Sequence, residues 1–157
     1  MDVRELRNCF GRFATGVTVV TWKTDSNEFN GITVNSFSSV SLDPALVLVS
    51  IDKKAKACKA LENRSFVVNI LAEKQEAIAW QFAGRPQEGL IIEWEESDLG
   101  PKIKGALATI ECSPWNSYEG GDHILCIGEV KDFSYSNGDA LMFYQGKFLK
   151  NETNQSI

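Results

Sequence analysis

A mainly β fold is what this 157-residue chain predicts: an antiparallel barrel, closed or partly open, with helices over one side. Three observations predict it. Apolar runs of strand length recur from Val17 to Tyr144, bounded by Gly, Pro, Asn, Asp or Ser. About seven or eight such runs are present, mostly at hairpin separations. Apolar residues at helical spacing interrupt them in only about two or three places.

The elements follow in order. Val3, Leu6, Phe10 and Phe13 are spaced as one helical face over residues 3–14, and Gly16 follows as a stop. Val17 to Trp22 reads as a strand, Thr24 to Asn27 as a turn, and Phe29 to Asn35 as the returning strand. Ile32 and Val34 alternate there with Thr33 and Asn35, as in a half-buried strand. A serine-rich stretch around Phe37 and Val40 then leads through Leu42-Asp43-Pro44 to a strand over Leu46 to Ile51. Lys53 to Asn63 reads as a short helix, Phe66 to Leu71 as a strand, and Glu73 to Ala83 as a helix showing Ile78 and Phe82 on one side. Gly84-Arg85-Pro86 breaks that helix and opens a long, irregular, acidic stretch to Gly100-Pro101. Loops of that length in compact domains are usually functional or pack on a partner. Ala106 to Cys112, His123 to Phe133 and Leu141 to Tyr144 complete the strands, with a turn at Ser136 to Asp139. One domain over 1–150 is expected, followed by a flexible tail over 151–157.

Composition narrows the function classes. The 43% hydrophobic and 24% charged fractions are those of an ordinary globular chain. A net charge of −5 argues against a nucleic-acid surface, which needs concentrated Lys and Arg. No apolar run has membrane-spanning length and the N-terminus lacks a signal-peptide layout, so a cytoplasmic protein is expected. With one histidine and four scattered cysteines (Cys9, Cys58, Cys112, Cys126), reduced thiols are expected and no metal. No dinucleotide or phosphate-loop glycine motif, nucleophile elbow or acid–base carboxylate pair stands out. If the chain is an enzyme, a cofactor supplies the reactivity and the protein supplies placement.

Three constellations remain. The stretch Thr33, Val34, Asn35, Ser36, Phe37, Ser38 and Ser39 concentrates small donors and acceptors between two hydrophobic strands. Either they satisfy one another in local turns, or they line a polar ligand. The Asp52, Lys53, Lys54, Ala55, Lys56 turn comes one strand later, and with the serines would suit a phosphate if the fold brings both to one end. Gly120-Gly121-Asp122-His123 opens a strand with the sole histidine, which is structural or exposed unless a ligand approaches the glycines. Tyr144-Gln145-Gly146-Lys147-Phe148 is either an aromatic hairpin end or a stacking site with a lysine for an anion.

Taken together, in order and spacing, these stretches resemble the short flavin reductase family, the reductase components of two-component flavin-dependent monooxygenases. The resemblance begins at Arg7 to Thr21 and runs through Gly31 to Pro44. It continues with Val67 to Gln75, Gly121-Asp122-His123, Ile127 to Val130 and Leu141 to Phe148. It implies a split antiparallel β-barrel of the FMN-binding, Greek-key type, working as a homodimer. It implies reduction of FMN or FAD by NADH or NADPH, the reduced flavin passing to a flavin-dependent oxygenase. Thr33 to Ser39 would hold the isoalloxazine and ribityl groups and Ser50 to Lys56 the phosphate end. Phe82, Ala83, Gly84 and Arg85 would border the flavin, and His123 would position the nicotinamide with Tyr144 and Lys147 nearby. Val34 stands where the family often has Ala, and the family often has a hydroxyl residue near Ala55 or Ala57. Transfer between two stacked rings asks no acid or base of the protein, which fits the residue inventory. The alternatives are a flavin-holding electron carrier on the same barrel, or a reductase acting on a corrinoid or ferric complex.

Overall fold

The structure, a computed structural model, describes residues 1–150 (for Lys150, the backbone alone); the expected flexible tail over 151–157 lies outside the described residues. Twelve strands and three α-helices are present among them. The main sheet has seven strands in the order β3-β2-β6-β9-β10-β5-β4, all neighbours antiparallel. These are β2 (Thr18–Lys23), β3 (Phe29–Val34), β4 (Ser38–Leu42), β5 (Ala45–Asp52), β6 (Phe66–Ile70), β9 (Ala108–Gly120) and β10 (His123–Tyr135). A second sheet joins β1 (Thr15–Gly16), β11 (Leu141–Tyr144) and β12 (Lys147–Lys150), with Thr15 opposite Phe143. β7 (Trp94–Ser97) and β8 (Gly100–Ile103) form a separate hairpin.

The run Val17 to Trp22 is apolar without a break because β2 is covered on both faces. Val20 and Trp22 point into the barrel with Val49, Ile51, Phe66, Val68 and Cys112. Val19, with Val17 just before the strand, points outward into a second cluster with Leu71, Ala79, Ile103 and Leu141. Alternation of side chains along a strand produces this division. α2 (Lys56–Ala60) plugs the inner cluster with Ala57, while α3 (Glu76–Gln81) caps the outer one with Ala79.

The barrel is closed by one side chain. β3 and β5 lie at distant places in the sheet order yet approach each other in space. There Ser36 Oγ donates to the Ser50 carbonyl and accepts from the Ser50 N–H, both at 3.0 Å. One hydroxyl thus stands where a neighbouring strand would supply a donor and an acceptor.

Several elements depart from expectation. The first helix, α1, covers Val3–Phe10 and ends at Gly11 rather than running to residue 14. The helix expected over Lys53 to Asn63 is reduced to Lys56–Ala60, because Asp52 Oδ1 takes the Lys54 N–H at 2.8 Å and holds residues 52–55 in a turn. The helix expected from Glu73 to Ala83 starts as a 3₁₀ turn over Glu73–Gln75. Gln75 Oε1 accepts from the Ala72 N–H at 2.9 Å, and its amide donates to the Lys104 carbonyl at 3.1 Å. The serines from Ser38 form edge strand β4 on β5 instead of a chain of turns. β9 runs eight residues beyond the expected end at Cys112. The acidic stretch contains the β7–β8 hairpin, which lies over β2 and β6. No helix among the described residues is long and apolar enough to cross a membrane.

Candidate functional site

Three pieces of chain meet where β3 ends. The first is the edge of β3. With β2 on one side only, Thr33 turns its free backbone to the end of α3: its N–H donates to the Phe82 carbonyl at 3.0 Å and its hydroxyl to the Ala79 carbonyl at 2.7 Å. Gly31 permits this approach. A Cβ there would stand 3.0 Å from the Phe82 ring and 3.1 Å from Val19.

The second piece is the exit from α3. Gly84 takes φ +84°, a conformation that glycine adopts without a Cβ clash, and the chain doubles back so that the Arg85 N–H reaches the Trp80 carbonyl at 3.0 Å. The Arg85 guanidinium then lies over the Trp80 ring, 4.7 Å from its centroid. The third piece is the β11–β12 hairpin, whose Gln145 N–H donates to the Gly11 carbonyl at 3.0 Å. Phe148 meets Trp80 edge-on at 4.7 Å between centroids. Between these pieces is a cleft of about 350 Å³ walled by Thr33, Val34, Asn35, Ala83 and Arg85 with Trp80, Phe143, Gly146 and Phe148. Its size is at the lower end for ligand pockets.

A second group gathers at the C-terminal end of β5. The Lys53 N–H donates to the Asp122 carbonyl at 3.0 Å, and His123 stands opposite Asp52 in the β5–β10 register. Gly121, at φ +70°, makes the tight turn that brings β9 back as β10. His123 Nδ1 lies 2.8 Å from Asp122 Oδ1. The hydrogen bond from His123, together with its charge, holds the exposed Asp122 carboxyl below the usual range. An ionised carboxylate only accepts, so Nδ1 carries the proton of this hydrogen bond. Lys53 Nζ pairs with Glu119, while Lys54 and Lys56 are exposed. The N–H groups of Lys53, Lys54 and Ala55 are all engaged within the turn, to Asp122, Asp52 Oδ1 and the Asp52 carbonyl. The lysine ammonium groups are therefore what this turn offers an anion.

The structure answers the question of ends. Ser36 and Ser50 are in contact, two residues before Asp52, so the stretch after Thr33 and the Lys53 turn share one end of the barrel. The other expected residues are dispersed. Ser38 and Ser39 are exposed on β4, the Ser38 hydroxyl donating to the Ser39 carbonyl at 3.4 Å. Phe37 packs against the inner core. Tyr144 and Lys147 pair across the turn that carries Gly146 to the cleft, whereas the strand neighbours of His123 are Asp52 and Gly120. Trp80 and Phe143 were not anticipated. The signal for Trp80 was the helical pattern that also places Ala79 and Phe82; only the reversal at Gly84 turns its ring into a platform.

Residues 10–152 match the flavin reductase like domain. The chain belongs to this family. It is 41% identical over 146 residues to an NADH-dependent flavin reductase of a Rhodococcus species, covering 91% of this chain and 83% of that one. It is 40% identical over 147 residues to the FMN reductase (NADH) SmoA of Agrobacterium fabrum, covering 92% and 84%. A further relative, the reductase component of the flavin-dependent trigonelline monooxygenase of Acinetobacter baylyi, is 41% identical over 151 residues; the chain spans only 48% of its length. Among solved structures, flavin reductase PheA2 superposes with a TM-score of 0.93 at 42% identity over 98% of this chain and all of that one. The Streptomyces globisporus NADH:FAD oxidoreductase SgcE6, in complex with NAD and FAD fragments, gives 0.89 at 36% identity over 99% and 96%. As a flavin reductase-family chain it has the split-barrel fold, and Ser36 marks the seam of its barrel.

Proposed function

We propose that this chain is an NADH-dependent flavin reductase that supplies reduced flavin to a partner oxygenase. The observation that carries the reading is the cleft beside β3: aromatic walls from Trp80, Phe143 and Phe148, a polar edge from Thr33 and Asn35, and the Arg85 guanidinium. Those residues fit a flat, heteroatom-edged ring, and the relatives named for NADH and flavin cover most of the chain. Bound there, a flavin would supply the two-electron acceptor for electrons from NADH.

The protein's own contribution is placement. Thr33, Val34, Asn35 and Ala83 would border the ring, with Phe82 and Gly84 holding that edge. Ser36 would keep Asn35 in place through the seam, with Phe37 packed on the inner core; Ser38 and Ser39, exposed on β4, lie outside the walls of this cleft. Lys53, Lys54 and Lys56, framed by Ser50, Asp52 and Ala55, would meet the phosphate end by charge. His123, oriented by Asp122, would position the nicotinamide, with Tyr144 and Lys147 contributing from the hairpin. The proposal includes a homodimer and acceptance of FAD beside FMN and of NADPH beside NADH, which follow from the resemblance to the family, and a cytoplasmic setting, which is the expectation from the sequence pattern.

The test is anaerobic NADH oxidation by the purified chain with FMN, FAD, riboflavin or no flavin. Oxidation that depends on added flavin is expected. A yellow protein that fails to oxidise NADH under every one of these conditions would instead be an electron carrier fed by another protein. His123→Ala should change the Michaelis constant for NADH or the turnover; if both stay as in the parent, the positioning role is wrong.

A further inference from the structure

Arg85 is the charged side chain among the described residues that wall the cleft beside β3. It is also held unusually firmly for an exposed arginine. Its guanidinium lies on the Trp80 face at 4.7 Å, and its N–H is fixed to the Trp80 carbonyl at 3.0 Å. Its own carbonyl accepts from Gln87 Nε2 at 2.8 Å, and the Gln87 N–H is tied to Gln81 Oε1 at 2.7 Å. Trp80 is itself braced edge-on by Phe148 and by its indole N–H, which donates to Glu76 Oε2 at 3.4 Å. Glu76, the carboxylate that touches Trp80, is thus engaged by the indole N–H. The cleft therefore carries a preorganised positive charge against otherwise neutral walls.

We infer that the Trp80–Arg85 pair reads the redox state of the flavin ring, Arg85 supplying a cation that favours the reduced, anionic ring over the neutral oxidised one, with Trp80 as its positioning residue. This deepens the proposed function and rests on its placement of the ring in this cleft. Electrostatic groups fixed in advance stabilise charge without reorganising when it forms. A unit charge about 5 Å from another, across a half-exposed cleft, is worth on the order of a tenfold factor in affinity. The oxidised ring, carrying no net charge, gains little from it. The pair therefore acts on the ratio of the two affinities, and the phosphate tail does not enter.

The experiment is a set of binding titrations of the full chain with riboflavin and with FMN, each oxidised and, under anaerobic conditions, reduced. It compares the parent with Arg85→Gln, Arg85→Lys, Trp80→Leu and Lys147→Gln. Arg85→Gln should lower the preference for the reduced form about tenfold, equal to about 30 mV for a two-electron couple, and equally for riboflavin and FMN. Arg85→Lys, which keeps the charge and loses the flat stack, should retain most of the preference. Trp80→Leu should lose part of it while Arg85 is still present. Weaker FMN binding in both redox states with riboflavin unaffected would make Arg85 a phosphate reader and overturn the inference. So would equal weakening of oxidised and reduced flavin, or an equal effect from Lys147→Gln, which would assign the preference to a general positive field. If the parent binds neither flavin in either state, the proposed function fails and takes this inference with it. A parent that binds both, with an unchanged ratio in Arg85→Gln, overturns the inference alone.

Discussion

Ser36→Ala separates two roles that the serine-rich stretch could play. The hydroxyl makes two hydrogen bonds to Ser50, each of 3.0 Å, across the one gap that the backbone ladder leaves between β3 and β5. Removing it strands a donor and an acceptor, and a buried group left without a partner costs about 1–3 kcal/mol. Ser50 is only half-buried, so water recovers part of that, and about 2 kcal/mol is expected for the pair. In a chain of this size each kcal/mol moves the midpoint by roughly 2–4 °C, giving a fall of about 4–8 °C in Tm. Thermal unfolding followed by circular dichroism reads this directly, and flavin titration of the same sample should show a smaller loss, since Asn35 is displaced only indirectly. An unchanged Tm together with lost flavin binding would refute the reasoning: the hydroxyl would then serve the ligand and the seam would not need it.

Other perturbations test other parts of the structure. Gly31→Ala forces its Cβ against Phe82 and Val19, at 3.0 and 3.1 Å, and should cost about 1–3 kcal/mol in denaturant unfolding and weaken flavin binding. Gly128→Ala meets Phe66 at 2.7 Å and Cys112 at 2.8 Å inside the barrel, so it should lower Tm further while acting far from the cleft. Burial, and secondarily the charge of Glu111, pushes the Cys112 thiol up to about 12 from 9.0. The folded state therefore keeps a proton that the unfolded chain releases, and stability is full below about pH 9 and declines from there toward pH 12, by up to about 1.4 kcal/mol per pH unit. Urea midpoints at pH 8 and pH 10.5 should differ in the parent, and the difference should shrink in Cys112→Ala. His123→Gln removes the hydrogen bond and the charge that lower the Asp122 carboxyl, whose titration, followed by carbon NMR, should move back up; an unmoved titration would deny the pair.

Much of the fold was legible because its strands carry their burial in their spelling. Val17 to Trp22 and Leu46 to Ile51 are apolar enough to be strands in any context, and the turns at Thr24 and Ser136 use residues that favour turns. β4 was not legible: four of its five residues are exposed, and an edge strand without a buried face leaves no alternation to read. The outer half of β9 escaped for the same reason, since residues 114–120 are exposed. The β7–β8 hairpin hid behind its glutamates and Pro101, its burial confined to Gly100, Pro101 and Ile103. For the site, the polar stretch after Gly31 announced itself by composition. The partners of that stretch did not, because Ser36 meets Ser50 and Thr33 meets Phe82 through contacts between residues 14 to 49 positions apart, which no local pattern encodes.

That hairpin has a bearing on how such a chain can change its length. Thr21 and Asn69, both fully buried, are satisfied by it: Thr21 Oγ1 donates to the Pro101 carbonyl at 2.6 Å and Asn69 Oδ1 accepts from the Ile103 N–H at 2.8 Å. Trp94 stands edge-on to both Phe29 and Phe82, at 5.3 and 6.1 Å between centroids. Residues 94–103 are consequently not a removable insertion: excising them would leave the Asn69 amide oxygen without its donor, take an acceptor from the Thr21 hydroxyl and unseat the aromatic ring behind Phe82. The tip between Ser97 and Gly100 is free to lengthen or shorten, while its two arms are committed to the barrel. Sequence drift in that acidic segment would thus be felt at the cleft from behind, through the edge-on contact of Trp94 with Phe82.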